Sequence, residues 1–363
     1  MNSTEQAAPL NPAPLNNAHG AVADLYHAYT TGLLMTIITR RGARAGEDFW
    51  FHVFRRQHLD MFLPGLEKLG LTHLPDAVAA AQYHYLSNKI GGAPVEYMYE
   101  SDRKAWVRFT PPRWVYDGTA LAAIPSEVSR ALLRGWYGHN GEAMGNPRLG
   151  FVCTAQTMDG QSGLSGYFRE YDHDLDPDER LIFSPGEEPP LFDPAAAPEP
   201  PAGDWPEARL RKAYRNYAMN FVKTSLSVAP ALFGPAEAAY LGNVTGRLIG
   251  MQYYQQTARA LDLGDTDTSP AAFATYLHAM ADAQDDPIEV EADGDAILVR
   301  QRGWRLMRGQ TNIPDAAFDA WNGLWQGALL AHNRFLVLEV LNRMDYGDDC
   351  FCWRIRERGP SQL

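Results

Sequence analysis

Apolar residues recur at spacings of three and four over four long stretches, about 22–41, 47–69, 207–228 and 235–262, and each predicts a helix. Pro235 suits a first helical turn, where its missing N–H has no partner to lose. Pro64 lies inside its stretch and predicts a kink or an end. Shorter helices are predicted from Pro75 and Pro270, and over about 126–137 and 315–332. Elsewhere the pattern switches to alternation. Val95, Tyr97 and Tyr99 pair with Trp106 and Arg108 in one predicted hairpin. Ile288, Val290 and Ala292 pair with Ile297 and Val299 in another, with Asp293-Gly294 as its turn. Two closing hairpins are predicted, 149–157 with 164–171 and 335–343 with 350–358. The expected fold class is α+β: two lobes, each an antiparallel sheet packed on several helices.

The two lobes repeat in order. Pro75 and Pro270 open equivalent helices (270 − 75 = 195), and Pro94 and Pro287 precede equivalent hairpins (287 − 94 = 193). Trp114 matches Trp304, and Trp136 matches Trp325. Gly160 matches Gly347, and Arg169-Glu170 matches Arg356-Glu357, both at an offset of 187 (347 − 160 and 356 − 169). Several matches in register predict an internal duplication. Between the lobes, residues 184–206 are rich in Pro, with Gly, Ala and acid interspersed. Such a stretch holds no helix and pairs in no sheet, so it reads as an extended linker. The expected organisation is a disordered tail over 1–20, a first lobe over 21–183, the linker, a second lobe over 207–358 and a short tail over 359–363.

Charge narrows the partners. The chain has 363 residues and a formal net charge of −12. Phosphate backbones and anionic membrane surfaces repel such a chain, so neither nucleic acid nor membrane is expected as a partner. No uncharged apolar run reaches the 18 residues of a bilayer span. The first 20 residues lack the basic start and apolar run of a secretory signal. Three Cys in the whole chain make no disulfide framework and suit a reducing, cytoplasmic setting. Aromatic residues reach 11%, which serves core packing or an aromatic-lined pocket.

No Walker loop, nucleophile elbow, zincin helix or dinucleotide fingerprint is present. The candidate chemistry lies in constellations. On the second helix, His52 and Arg56 are i and i+4 and share a face, with His58 on the adjacent one. A His titrates near neutral pH, and an Arg clamps carboxylates. On the third helix, Gln82, Tyr83, His84 and Tyr85 precede Lys89, and these types pass protons and donate to oxyanions. Gln252 and Tyr253 fall off the apolar stripe of their helix and are expected to line a pocket. Cys350 and Cys352 share one strand face, but with only the remote His332 they fall short of a zinc ligand set, so no metal is expected. Eight of the ten His lie in the first lobe or its tail, which points to that lobe as the site.

The closing strand reads Tyr346-Gly347-Asp348-Asp349-Cys350-Phe351-Cys352-Trp353-Arg354-Ile355. It resembles the 4-vinyl reductase small-molecule-binding domain and the related L-2-amino-thiazoline-4-carboxylic acid hydrolase-like proteins, here in tandem. The first lobe departs from it, with Gly163 where Cys350 stands in the second. The resemblance implies a cavity between helices and sheet that holds a small organic molecule. The resulting expectation is a cofactor-independent acid–base enzyme, a lyase or hydrolase, acting on a small aromatic or heterocyclic acid. In it His52, His84, Tyr83 and Tyr85 are catalytic, and Arg56, His58, Lys89, Gln252 and Tyr253 bind substrate. The alternative is a binding or sensor protein without chemistry. A small-molecule substrate is the expected partner, and a homodimer stays open.

Overall fold

The computed structural model describes residues 18–111, 114–201, 205–264 and 266–359. Residues 1–17 of the expected tail and 202–204 of the linker lie outside these, as do 360–363 at the far end. The first half runs α1 (Ala18–Arg41), α2 (Ala43–Lys68), α3 (Asp76–Ile90), β1 (Val95–Ser101), β2 (Lys104–Phe109), α4 (Ser126–Gly135), α5 (Asn140–Ala143), β3 (Leu149–Ala155), β4 (Leu164–Glu170) and β5 (Leu181–Phe183). The second runs α6 (Glu207–Phe233), α7 (Pro235–Ala260), α8 (Pro270–Asp282), β6 (Ile288–Asp293), β7 (Ala296–Gln301), α9 (Asp315–His332), β8 (Leu336–Asn342) and β9 (Phe351–Glu357).

The fold is α+β with two separate sheets. The first has strand order β1-β2-β4-β3-β5 and the second β6-β7-β9-β8. The four antiparallel strands of each therefore recur in the same order. Each sheet also carries a register shift at the same place, Cys153/Ala155 in β3 and Val340/Asn342 in β8. A 3₁₀ turn follows in both, ending on a left-handed glycine, Gly160 or Gly347. A side chain there would be strained, which explains the glycine.

Some boundaries differ from the sequence reading. Helix α1 starts at Ala18, so residues 18–20 of the expected tail are helical. Helix α2 runs through Pro64 to Lys68, and α6 runs through Pro230 to Phe233. Pro64 faces away from the core, where water can reach the carbonyl that its ring leaves open. Strand β5 has no counterpart in the sequence pattern. It adds in parallel to β3, pairing Phe151 with Leu181 and Cys153 with Phe183.

The core crosses the lobe boundary expected from the sequence. Helix α1 packs along α6 and α7, and α2 along α6. The buried side chains form one cluster that includes Tyr26, Phe49 and Trp50 from the first half and Phe221, Trp321 and Trp353 from the second. Polar groups cross as well. Tyr26 donates to Gln284 at 2.6 Å and accepts from Trp321 Nε1 at 3.0 Å. Thr245 donates to the Leu241 carbonyl at 2.8 Å and accepts from the Thr36 hydroxyl at 2.9 Å. Such buried groups need partners, and here each finds one in the opposite half.

The segment after β5 is extended, as expected, but it is not free. It lies on the outer face of the first sheet. There Met98, Trp106, Tyr167 and Val152 form one apolar row across four strands, and Phe192 packs on it. Lys104–Glu187 at 2.6 Å and Lys89–Glu199 at 2.9 Å pin the segment at two points. The equivalent row of the second sheet is Glu291, Leu298, Arg354 and Glu339. Arg354 pairs with Asp293 at 2.9 Å, and Arg356 pairs with Glu339. A row of paired charges is already solvated, so the second sheet has no apolar face for a covering strap to bury.

Candidate functional site

A cavity of about 590 Å³ lies at the seam between the halves. Helix α2 contributes Phe54, Gln57, Met61, Gly65 and Lys68; α3 contributes Tyr83, His84, Ser87 and Asn88. Trp136 and Tyr137 follow α4, and Phe109 ends β2. The opposite wall is α6, with Arg209, Lys212, Asn216, Tyr217, Asn220 and Phe221, preceded by Trp205. The size suits one small ligand.

Local sequence explains how the walls meet. Gly65 lets α2 approach α3, since a Cβ there would stand 2.5 Å from the Tyr83 ring. Gly91 and Gly92 end α3 under the Tyr217 and Tyr214 rings, and a Cβ on either would stand 2.6 Å from a ring carbon. Tyr217 then donates to Asn88 Oδ1 at 2.8 Å, and Asn88 Nδ2 donates to the His84 carbonyl at 2.7 Å. The seam is thus tied through α3 to the residue in its floor.

The interior is aromatic. His84 is 3% exposed and stacks on Tyr137 at 3.9 Å, with Trp136 and Tyr83 edge-on. Burial pushes its pKa well below the usual range, and neighbouring His58 adds to this, so the ring is neutral. Burial also raises Tyr83, whose hydroxyl stays protonated at neutral pH. Gln57 is buried against the cavity. The mouth is basic. Lys68 and Arg209 lie over the Trp205 ring at 5.1 and 4.3 Å, with Lys212 beside them and Asp60 across. Cations over an indole face are favourable there and also hold the ring in place.

The structure separates the residues singled out from the sequence. Tyr83 and His84 meet at the cavity wall. His58 lies behind His84, buried and accepting from Arg55 Nη1 at 2.8 Å through Nδ1. Its pKa falls to about 3 through burial, then through Arg55 and His139. His52 and Arg56 do share a helix face, but it is the outer one. Both are exposed, and Arg56 pairs with Asp60 at 2.9 Å. Arg44, Asp48, His52, Arg56 and Asp60, four residues apart, form one exposed stripe along α2. Tyr85 and Lys89 turn to the other side of α3. Lys89 donates to Tyr85 at 3.1 Å and pairs with Glu199, and Tyr85 packs near Tyr97 and Phe192. Gln252 is exposed. Tyr253 lines a second cavity of about 440 Å³ with Asp24, Asp117 and Tyr214, on the other flank of α6.

Sequence reasoning missed the basic mouth. Its signal was the run from Trp205 through Arg209, Arg211 and Lys212 where the linker meets α6, which looks like an ordinary charged helix start. Cys350 and Cys352 lie on the outer face of the second sheet, where Cys352 is paired across from Arg300. His332 is engaged elsewhere, with Tyr254 at 2.6 Å and the Ser269 carbonyl at 3.0 Å. Among the described residues no three His, Cys, Asp or Glu side chains gather as metal ligands, and no helix is long and apolar enough to cross a membrane. The cavity lies between helices of both halves rather than between the helices and sheet of one. Comparison with known proteins finds no matching family model, no matching curated protein and no matching solved structure, so the site stands on its own geometry.

Proposed function

We propose that the seam cavity binds a small planar organic anion, with its ring among the aromatic side chains and its charge at the Lys68–Arg209–Lys212 mouth. The observation that carries this is polarity: one concave site with an aromatic interior and three cations at the rim. Stacking supplies affinity for a ring, and the cations supply it for a carboxylate. This keeps the substrate class expected from the sequence and moves its anion clamp from Arg56 to the mouth. Titration calorimetry with a panel of aromatic carboxylates tests it. Each of Lys68→Met, Arg209→Met and Lys212→Met should weaken binding about threefold to tenfold, or ~1 kcal/mol for a partly exposed charge pair. Binding unchanged in all three variants, or no binding by any acid of the panel, sinks the reading.

A second reading, an acid–base enzyme of the lyase or hydrolase class, is favoured by the adjacency of Tyr83 and His84 at the cavity wall. Both can donate a hydrogen bond at neutral pH, which suits an oxygen that gains negative charge. Turnover of the same panel, followed by mass spectrometry, tests it. Tyr83→Phe or His84→Ala should then cost about 10²-fold or more. Wild-type turnover in both variants removes it.

A further inference from the structure

Behind the cavity wall lies a chain of side chains that the ligand does not reach. Arg55 donates from Nη1 to His58 Nδ1 at 2.8 Å. A guanidinium has no acceptor, so His58 Nδ1 must accept. His58 is neutral, so its one proton sits on Nε2. Asn140, fully buried, stands between the two histidines: its Nδ2 is 2.9 Å from His84 Nε2, and its side chain also biases the charge of His58. His58 Nε2 and Asn140 Oδ1 are both buried, and neither closes a hydrogen bond of ordinary geometry among the described residues. The Asn140 side chain favours the charged form of His58, as an accepting oxygen does and a donating nitrogen does not, and this assigns the amide. Its oxygen turns to His58, and its nitrogen donates to His84 Nε2. His84 Nε2 therefore accepts, and the His84 proton is on Nδ1. That nitrogen has no hydrogen-bond partner among the described residues, and His84, 3% exposed, lines the cavity.

We infer that Arg55 is a positioning residue that acts through His58 and Asn140 to hold His84 as its Nδ1–H tautomer, so that the cavity selects ligands with an acceptor oxygen at that point. The inference deepens the binding reading and rests on it only for the ligand. His84 is then a hydrogen-bond donor to the ligand and no base. The matching ligand carries a carbonyl, carboxylate or phenolate oxygen near His84 and a second anionic group near the mouth.

The test is the proton position itself, read by long-range ¹H–¹⁵N correlation on the full chain labelled at histidine nitrogens. The expected wild-type result is His58 protonated on Nε2 and His84 on Nδ1. Asn140→Asp replaces the amide by a pure acceptor and should move the His84 proton to Nε2. Arg55→Met should leave His58 and His84 as tautomer mixtures, and Arg55→Lys, still an obligate donor, should restore the wild-type pattern. A wild-type His84 carrying its proton on Nε2 overturns the inference, even if no variant folds. So does an Arg55→Met variant with both tautomers unchanged. None of these spectra needs a ligand. Failure of aromatic acids to bind would remove the binding reading and leave the tautomer assignment standing.

Discussion

Three imidazoles, those of His27, His58 and His84, sit inside the protein as neutral rings, and acid must charge them to unfold it. Burial lowers His27 and His58 to about 3, against an ordinary value of 6.5. A group whose folded pKa is depressed binds fewer protons folded than unfolded between those two values. Stability is then present above about pH 6.5 and is lost as the pH falls toward 3. At ~1.4 kcal/mol per pH unit, each of the two removes roughly 2 kcal/mol between pH 6.5 and 5. Asp286 works the other way. Burial raises it to about 6, so its protonation in the folded state restores part of the loss as pH falls. Two histidines outweigh one aspartate, and the urea midpoint is expected to drop steadily from pH 7 to pH 5. His58→Gln should flatten that slope. A midpoint independent of pH in this range would mean that the imidazoles take up protons without cost. His58 and His84 were visible in the sequence as candidates because a His among aromatics is uncommon. Their neutrality was not visible, since it follows from burial, which depends on how α2, α3 and the aromatic residues after α4 pack together.

At the scale of elements, α7 and α9 pack backbone against backbone. Gly242, Gly246 and Gly250 on α7 recur every four residues and face α9; Gly323 and Gly327 on α9 face Asn243 and Arg247 on α7. A Cβ at Gly246 would stand 2.7 Å from the Ala320 carbonyl oxygen. Any side chain there pushes two backbones apart, and backbone yields poorly. Gly246→Val is expected to lower stability by about 1–3 kcal/mol in chemical denaturation, the usual cost of overpacking. Gly264→Ala, with nothing within 4 Å, serves as the neutral control. Equal effects of the two would refute the close approach. The four-residue glycine spacing was present in the sequence, but Gly in a helix reads first as a weakness. The long helices, both Pro-started helices and the hairpins were legible because their apolar periods are unbroken; the order of the strands in each sheet was not, because it depends on long-range pairing. Strand β5 was not, because its three residues show no period and pair only through β3.

The whole molecule is held by contacts that join sequence-distant halves. Tyr26 of α1 is fully buried between Gln284 and Trp321. A fragment ending at Phe183 would expose Tyr26, Tyr29 and the rest of that helix face to water. It is expected to lack near-ultraviolet circular dichroism and to elute as aggregate, whereas co-expression with the second half should recover a compact complex. A folded monomeric fragment would show that the seam is dispensable. The strap over the first sheet makes a separate prediction. Phe192→Ala uncovers the Met98–Trp106–Tyr167–Val152 row and should open the 184–201 segment to protease at concentrations that leave wild type intact. Sequence composition identified this stretch as extended and stopped there. Its resting place depends on which sheet has the apolar outer row, and that follows from strand register.

Because α2 and α3 wall the seam cavity from one half and α6 from the other, any occupant touches both and is released when they part. A ligand bound only by the closed form adds RT ln(1 + [L]/Kd) to the free energy of unfolding, about 2.7 kcal/mol at a hundredfold excess over Kd. The melting temperature of the intact chain is therefore a direct assay of occupancy. It works for a ligand of any identity, and a library of small acids can be ranked by the degrees each one adds.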